Sequence, residues 1–448
     1  MRPNRTDDRE QNLLKLIARK HVGNRPGRIE PRAIKCRPKP YPMLMQTRSA
    51  ARAEVRKNVN TTKAPMNAVI DNRNKLLITL TVMIFGLSYG LSAPLIAIKL
   101  TTAGFSEVYI GINAAMHAVG VFAIAPFLPM LCRRFSPRRL LAISLGALVV
   151  LLAAFPFVPI ETWFVLRLGL GLFSEIIMVV SETWLNHTTV EQARAKTMAM
   201  YVASLSLGFA LGPFILSWLG NASSAAFFVG SLITLLAGLS LLGIKTCGRP
   251  IAHEKGRPLS LYLHIATLAL VAAALNGALE SAGMNMLVIY AINVGWPVQQ
   301  ATWLLSMLLF GAIVLQLPIG WLADRMDRRR LIIVLSALSA VGALIWPLAL
   351  TERWLSYGLL FVWGGVFVGI YTVVVTQVGE RFSGTELVGV YSALSVAWGI
   401  GALLGPLLAG VSMQLGLHGL PLLTAALCAL FTLFAVMHTQ HTPAPPQA

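Results

Sequence analysis

Arg167, Glu175 and Glu182 interrupt one apolar stretch of the chain, and Asn276 and Glu280 interrupt another. Glu175 and Glu182 are seven residues apart, which on an α-helix places both on one face, about 10 Å from each other. Arg167 stands about 12 Å along the axis from Glu175 and about 80° round it, so a pair within that helix is not expected. Its partner should lie on another helix. Asn276 precedes Glu280 by one turn, and Asn285 follows further on. A carboxyl in an apolar setting tends to keep its proton, and a nearby arginine favours the charged form. Such a group takes up or releases a proton as its surroundings change, which suits it to work against a proton gradient. The competing reading is that Asn, Tyr or Arg neighbours satisfy these groups and they fix helix packing.

The elements that must hold them follow from composition. Charged residues make up 12% of 448 positions and hydrophobic residues 56%, against about a quarter charged in a soluble protein. Too few polar side chains remain to coat a water-facing surface, so the bilayer is the expected solvent. Cys36, Cys132, Cys247 and Cys428 have neither paired nor metal-ligand spacing. No disulfide, metal or cofactor is expected. The formal charge of +19 is uneven: residues 1–75 hold 19 Lys+Arg and 6 Asp+Glu, a net +13, and the remainder holds 18 and 12, a net +6. A basic tail, rather than a nucleic-acid surface, accounts for it. That tail, as in "RPGRIEPRAIKCRPKPYP", lacks apolar periodicity and is expected to be disordered. Contact with anionic lipid is its functional alternative, and Met43, Met45 and Met66 are alternative starts.

A membrane helix needs about 20 mostly apolar residues. Twelve such spans are expected, at 76–98, 108–131, 139–159, 163–187, 197–219, 225–244, 260–284, 298–323, 331–350, 355–379, 387–412 and 419–438. They are numbered 1 to 12 in chain order. Domains are expected at 76–244 and 260–438, joined by a linker at 245–259, with a short tail at 439–448. Grouping the loops alternately, one set holds 15 Lys or Arg, including Arg133, Arg134, Arg138, Arg139, Arg325, Arg328, Arg329, Arg330 and Arg381. The other set holds Lys99 and Arg353. The positive-inside rule makes the first set cytoplasmic, with both termini on that side.

The halves echo one another. "ETW" at 161–163 returns as "ERW" at 352–354, and "LGP" at 211–213 returns at 404–406, with offsets of 191 and 193. "CRRFSPRRLL" (132–141) aligns with "DRMDRRRLII" (324–333). Two six-helix bundles related about the membrane normal are the simplest reading, with an interface between them.

One passage adds specificity. "PIGWLADRMDRRRL" (318–331) resembles the loop signature of the major facilitator superfamily, G-x-x-x-D-R-x-G-R-R, with Gly320, Asp324, Arg325, Arg328 and Arg329 in register. Gly320 is expected to let helices approach, and Asp324, disfavoured at a helix C-terminus, to seek an arginine or a facing helix N-terminus in a latch between the halves. Asp327 replaces the family's glycine. The first-half copy has Leu128 and Cys132 in place of glycine and aspartate. "RLGLGLFSE" (167–175) resembles the family's span-4 pattern. "GFALGP" (208–213) is similar to the antiporter pattern of span 5, through Gly208, Gly212 and Pro213. "VVSETWL", "FVGIYTVV" and "GIGALLGPLLAG", the last with Gly401, Gly405 and Pro406, look most like the YcaD-type bacterial permeases.

The resemblance implies an all-α membrane protein, twelve helices in two pseudo-symmetric bundles, in the bacterial inner membrane. It implies a transporter that carries a small molecule by alternating access and is sufficient as a monomer. Proton coupling through Glu182, Glu280, Glu175 and Arg167 is expected, with efflux by antiport ahead of proton-linked uptake of a sugar or other metabolite. Spans 1, 4, 7 and 10 would line the cavity, with Tyr89, Ser92, Asn276, Trp363 and Tyr371 as its candidates. His117 is a weak protonation candidate, and Gln316 and Trp398 are weaker still. A membrane enzyme would need a catalytic grouping that is missing here. A non-transporting sensor on the permease scaffold is the alternative of another class. If the threading is right, cysteines introduced at positions 133 and 353 react from opposite compartments when labelled in sealed vesicles; labelling from one compartment overturns it.

Overall fold

The computed structural model describes residues 45–189, 191–219, 224–244, 266–382 and 384–440. The expected linker at 245–259, the closing residues 441–448 and residues 1–44 of the basic tail lie outside them. The chain divides between Ala64 and Pro65, and the unit from Pro65 to Ala448 holds all the spans. The first helix runs from Met45 to Thr102, and its membrane-crossing part is Arg73–Thr102.

Among the described residues, twelve helices are long and apolar enough to cross a membrane: Arg73–Thr102, Glu107–Arg134, Pro137–Phe157, Ile160–Asn186, Lys196–Leu219, Ala225–Gly243, Thr267–Asn293, Val298–Ala323, Arg328–Ala349, Arg353–Arg381, Gly389–Leu415 and Gly419–His438. Span 7 departs most from expectation. It starts seven residues later and runs nine further, because Asn285 is satisfied inside the protein and does not end the helix. Large apolar side chains such as Ile143, Val150, Val165, Leu338 and Leu430 face outwards, as lipid requires. Trp163 is buried against Phe155 and Phe227, whereas its echo Trp354 is 82% exposed.

Glycines set the helix spacing, and they repeat. A Cβ on Gly120 of span 2 would stand 2.1 Å from the Leu168 carbonyl oxygen of span 4, and one on Gly171 would stand 1.9 Å from that of His117. In the second half Gly311 meets Phe361 at 1.7 Å and Gly364 meets Leu308 at 2.1 Å. These positions correspond at offsets of 191 and 193. Gly208 and Gly212 of span 5 receive span 1 at Met83 and Gly90. At an offset of 193, Gly401 and Gly405 of span 11 receive span 7 at Ala274 and Ala278. Spans 1 and 5, 2 and 4, 7 and 11, and 8 and 10 are thus parallel pairs in one repeated arrangement. Such close backbone approach is the usual role of small residues between membrane helices.

Spans 2 and 8 break at matching points. Span 2 passes through a 3-10 turn at Ala125–Phe127, and span 8 is interrupted at Leu315 between helices Val298–Val314 and Gln316–Ala323. Pro126, Pro129 and Pro318 explain this, since proline lacks a donor and clashes with the carbonyl four residues earlier.

The charged loop after span 8 corrects one expectation. A Cβ on Gly320 would meet nothing within 4 Å, so Gly320 is not a point of close approach. That role falls to Gly365 and Gly369 of span 10, packed on Leu315 and Ile319. Asp324 is exposed, and among the described residues the loop's contacts lie in its own bundle. Arg328 pairs with Glu380 at the end of span 10, Arg325 lies 3.9 Å over the Trp321 ring, and Arg329 lines a hollow with Arg381. Asp327, in the family's glycine position, accepts a hydrogen bond from Arg330 N at 2.9 Å and caps span 9. In this conformation the loop is a cap and not a latch between halves.

Gly171→Ala is expected to destabilise the protein by about 1–3 kcal/mol through overpacking. Gly146→Ala, where a Cβ meets open space, should stabilise by roughly 0.5–1 kcal/mol because mid-helix glycine is unfavourable. Thermal unfolding of the purified variants should move in opposite directions.

Candidate functional site

The two bundles meet along spans 2 and 11 and spans 5 and 8, and their closest approaches lie away from the arginine-rich loops. A Cβ on Gly111 would stand 2.4 Å from the Pro406 carbonyl oxygen, and one on Gly410 would stand 2.5 Å from that of Glu107. Asn293 donates to the Glu107 carboxylate across the same rim at 3.0 Å. Phe214 and Trp303 pack at 5.2 Å between spans 5 and 8. Midway along, a Cβ on Gly399 would meet the Phe122 ring at 2.9 Å. We refer to this as the far end, and to the end with the arginine-rich loops as the basic end.

Just inside the far end, Arg167 of span 4 is 1% exposed. It donates to the Asn285 side-chain oxygen of span 7, so a buried guanidinium in one bundle is solvated by an amide from the other. Asn285 in turn donates to Ser281 O at 2.8 Å. The Nε–H of Arg167 is buried without a partner.

Tyr89 of span 1 lies within electrostatic reach of both Arg167 and Glu280, with its ring 4.9 Å from that of His117 and 5.5 Å from that of Phe209. Glu280 accepts from Asn276 Nδ2 at 3.2 Å, with the Trp398 indole of span 11 close by. Arg167, Tyr89, His117, Asn276, Glu280, Asn285 and Trp398 therefore form one polar group at the seam, built from spans 1, 2, 4, 7 and 11.

Towards the basic end, no glycine among the described residues brings the two bundles together. Tyr371 of span 10 lies within electrostatic reach of Glu280 in its own bundle and of Glu182 in the other. Glu182 is exposed, so the space before it is accessible. Glu175 is half-buried, near Glu182 and Tyr201. Tyr201 shares a hydrogen bond of 3.0 Å with Ser181 and ties span 5 to span 4.

Two cavity candidates lie elsewhere or are occupied. Trp363 is buried inside the second bundle. Its indole donates to Ser339 O at 2.8 Å, and its ring packs on Trp346 and Phe367. It is eight residues from Tyr371 on one helix and so about 80° away round the axis, which turns it towards span 9. Ser92 donates to Tyr89 O of its own helix at 3.2 Å. Gln316 accepts from Thr372 and fixes span 8 to span 10.

Sequence reasoning passed over Asn113, whose residue is 1% exposed and whose Nδ2 is buried without a partner. An amide four residues before His117 in an otherwise apolar helix was the available signal. Among the described residues, no group of three or more His, Cys, Asp or Glu side chains could hold a metal ion.

Two repeated six-helix bundles with a polar seam at lipid depth define a multi-pass integral membrane protein of the transporter class. The family model described as Major Facilitator Superfamily matches residues 78–264 and again 266–448, and the chain belongs to that superfamily. It is 26% identical over 349 residues to the "Uncharacterized MFS-type transporter YfkF" of Bacillus subtilis (strain 168), covering 75% of this chain and 88% of the relative. It is 22% identical over 287 residues to the "Uncharacterized MFS-type transporter YcaD" of Escherichia coli O6:K15:H31, covering 63% and 74%. Its fold is similar to a crystal structure of the nucleoside transporter NupG, with a TM-score of 0.68 and 14% identity over 83% of this chain and 100% of that one. It is also similar to a bacterial homologue of the human lysosomal transporter Spinster, with a TM-score of 0.67 and 12% identity over 84% and 99%. Its relatives are transporters and not enzymes.

Asn285→Ala should cost about 1–3 kcal/mol by leaving a buried donor unmatched, while Asn285→Asp keeps an acceptor for Arg167. Equal thermal midpoints for the two variants would show that the contact between bundles carries no weight.

Proposed function

We propose that the protein is a secondary active transporter that moves a small molecule by alternating access of the seam, coupled to protons, with efflux by antiport favoured over uptake. The observation that carries this reading is Glu280. It is an acid at the contact of the two bundles, held by Asn276 beside Trp398, with Tyr89 and Arg167 beyond it and the accessible space at Glu182 before it. A carboxyl so placed changes its surroundings when the bundles rock, and a proton can be taken up on one side and released on the other. Glu182 stands on the open side as the acid that meets water first.

Fifteen basic residues against two in the alternate loops favour the basic end as cytoplasmic, with both termini on that side of a bacterial inner membrane. The arrangement described is then closed outwards and open inwards. The span-5 pattern at Gly208, Gly212 and Pro213 supports antiport, and the doubled six-helix architecture is sufficient in a single copy.

The test compares metabolite and toxicant profiles of cells with and without the protein, then follows pH inside sealed vesicles as a substrate so identified is added. Substrate-driven proton movement is expected, its sign separating antiport from uptake. Glu280→Gln should abolish it and Glu182→Gln should reduce it severalfold. Substrate flux without proton movement refutes the coupling, and absence of flux in proteoliposomes supports a sensor.

A further inference from the structure

Two buried side-chain atoms of the seam have no partner and a fixed role, the Arg167 Nε–H donor and the Asn276 Oδ1 acceptor. Asn276 is 5% exposed, and its Nδ2 is committed to Glu280. That leaves Asn276 Oδ1 buried with no partner. A buried amide oxygen in this state is unfavourable until a donor reaches it. The donor must come from the seam, since Asn276 shares a helix face with Glu280, which lies within reach of Tyr89 of the opposite bundle.

The ionisable side chains around this oxygen are mostly acids. Glu280 is a turn away, and Tyr371 links it to Glu182, with Glu175 beyond. Against these three acids stands Arg167, one of whose donors is already taken by Asn285. Arg167 has one unmatched N–H, too little to recruit an anion past three acids.

Resting on the reading of this seam as the transport site, we propose that it takes an organic amine in its protonated form, with an N–H on Asn276 Oδ1 and the positive charge on Glu280. Tyr89 and Phe209, with rings 5.5 Å apart, give its apolar part an aromatic surface, and a cation beside an aromatic face is favoured. The match is to a donor and a charge together. A quaternary ammonium satisfies only the second, and a carboxylate satisfies neither.

The experiment titrates the purified full-length protein calorimetrically with phenylbutylamine, its trimethylammonium analogue and phenylbutyrate. The amine should bind saturably, the trimethylammonium compound about ten- to hundredfold more weakly, as loss of one charge-assisted hydrogen bond implies, and phenylbutyrate not at all. Asn276→Leu should remove the preference for amine over trimethylammonium, and Asn276→Asp, which keeps an acceptor there, should retain it. Thermal unfolding checks that both variants are folded. Absence of amine binding, tighter binding of phenylbutyrate, or equal binding of the two cations overturns the proposal. If the amine binds but is not moved in proteoliposomes, the proposal stands and the transport reading fails. If another molecule is moved with protons and the amine does not bind, the reverse holds.

Discussion

Hydrocarbon offers no hydrogen bonds, so a polar group at lipid depth must be satisfied by protein or by water that protein admits. That constraint decides where the chemistry of this molecule can be. Many hydroxyls within the spans turn back on their own helices, as Thr183 does to Val179 O and Thr197 to Ala193 O. The buried guanidinium has no such local answer. Arg167 is solvated across the bundle contact by Asn285, and Glu280 is held by Asn276, with Trp398 close by, beside the same contact. The seam is polar because the groups that are costliest to bury have been gathered where the second bundle can serve them.

The same absence of side chain that lets helices pair inside each bundle also lets the bundles meet. Gly120, Gly171, Gly208 and Gly212 with their counterparts Gly311, Gly364, Gly401 and Gly405 fix pairs that belong to one bundle. Gly111 and Gly410 do the same work between bundles. Sealing at the far end thus depends on shape, and the electrostatic groups lie deeper.

Much of this was legible in the chain. Twelve apolar runs, the alternation of basic loops and the common offset of the echoes fix the architecture, since each follows from length, charge or repetition. Arg167 and Glu280 declared themselves by standing in apolar stretches. The partner of Arg167 did not. Asn285 lay beyond the expected end of span 7, because an asparagine reads as a boundary until its acceptor role is known. Trp363 and Tyr371 both look like cavity aromatics in sequence, and only the rotation of span 10 separates them. Gly320 carried a family pattern whose close contact is made here from the opposite helix, by Gly365 and Gly369. A motif gives residue types, whereas the face each side turns to depends on where two helices cross.

The rim formed by Gly111, Pro406, Gly410 and the backbone of Glu107 is held mainly by dispersion. Dispersion weakens steeply once atoms part by less than an ångström. A slight parting of spans 2 and 11 therefore forfeits much of the attraction at once, and there is little to hold the rim half open. The molecule has reason to dwell with the rim shut or fully released, and brief passage between the two limits leakage of small ions.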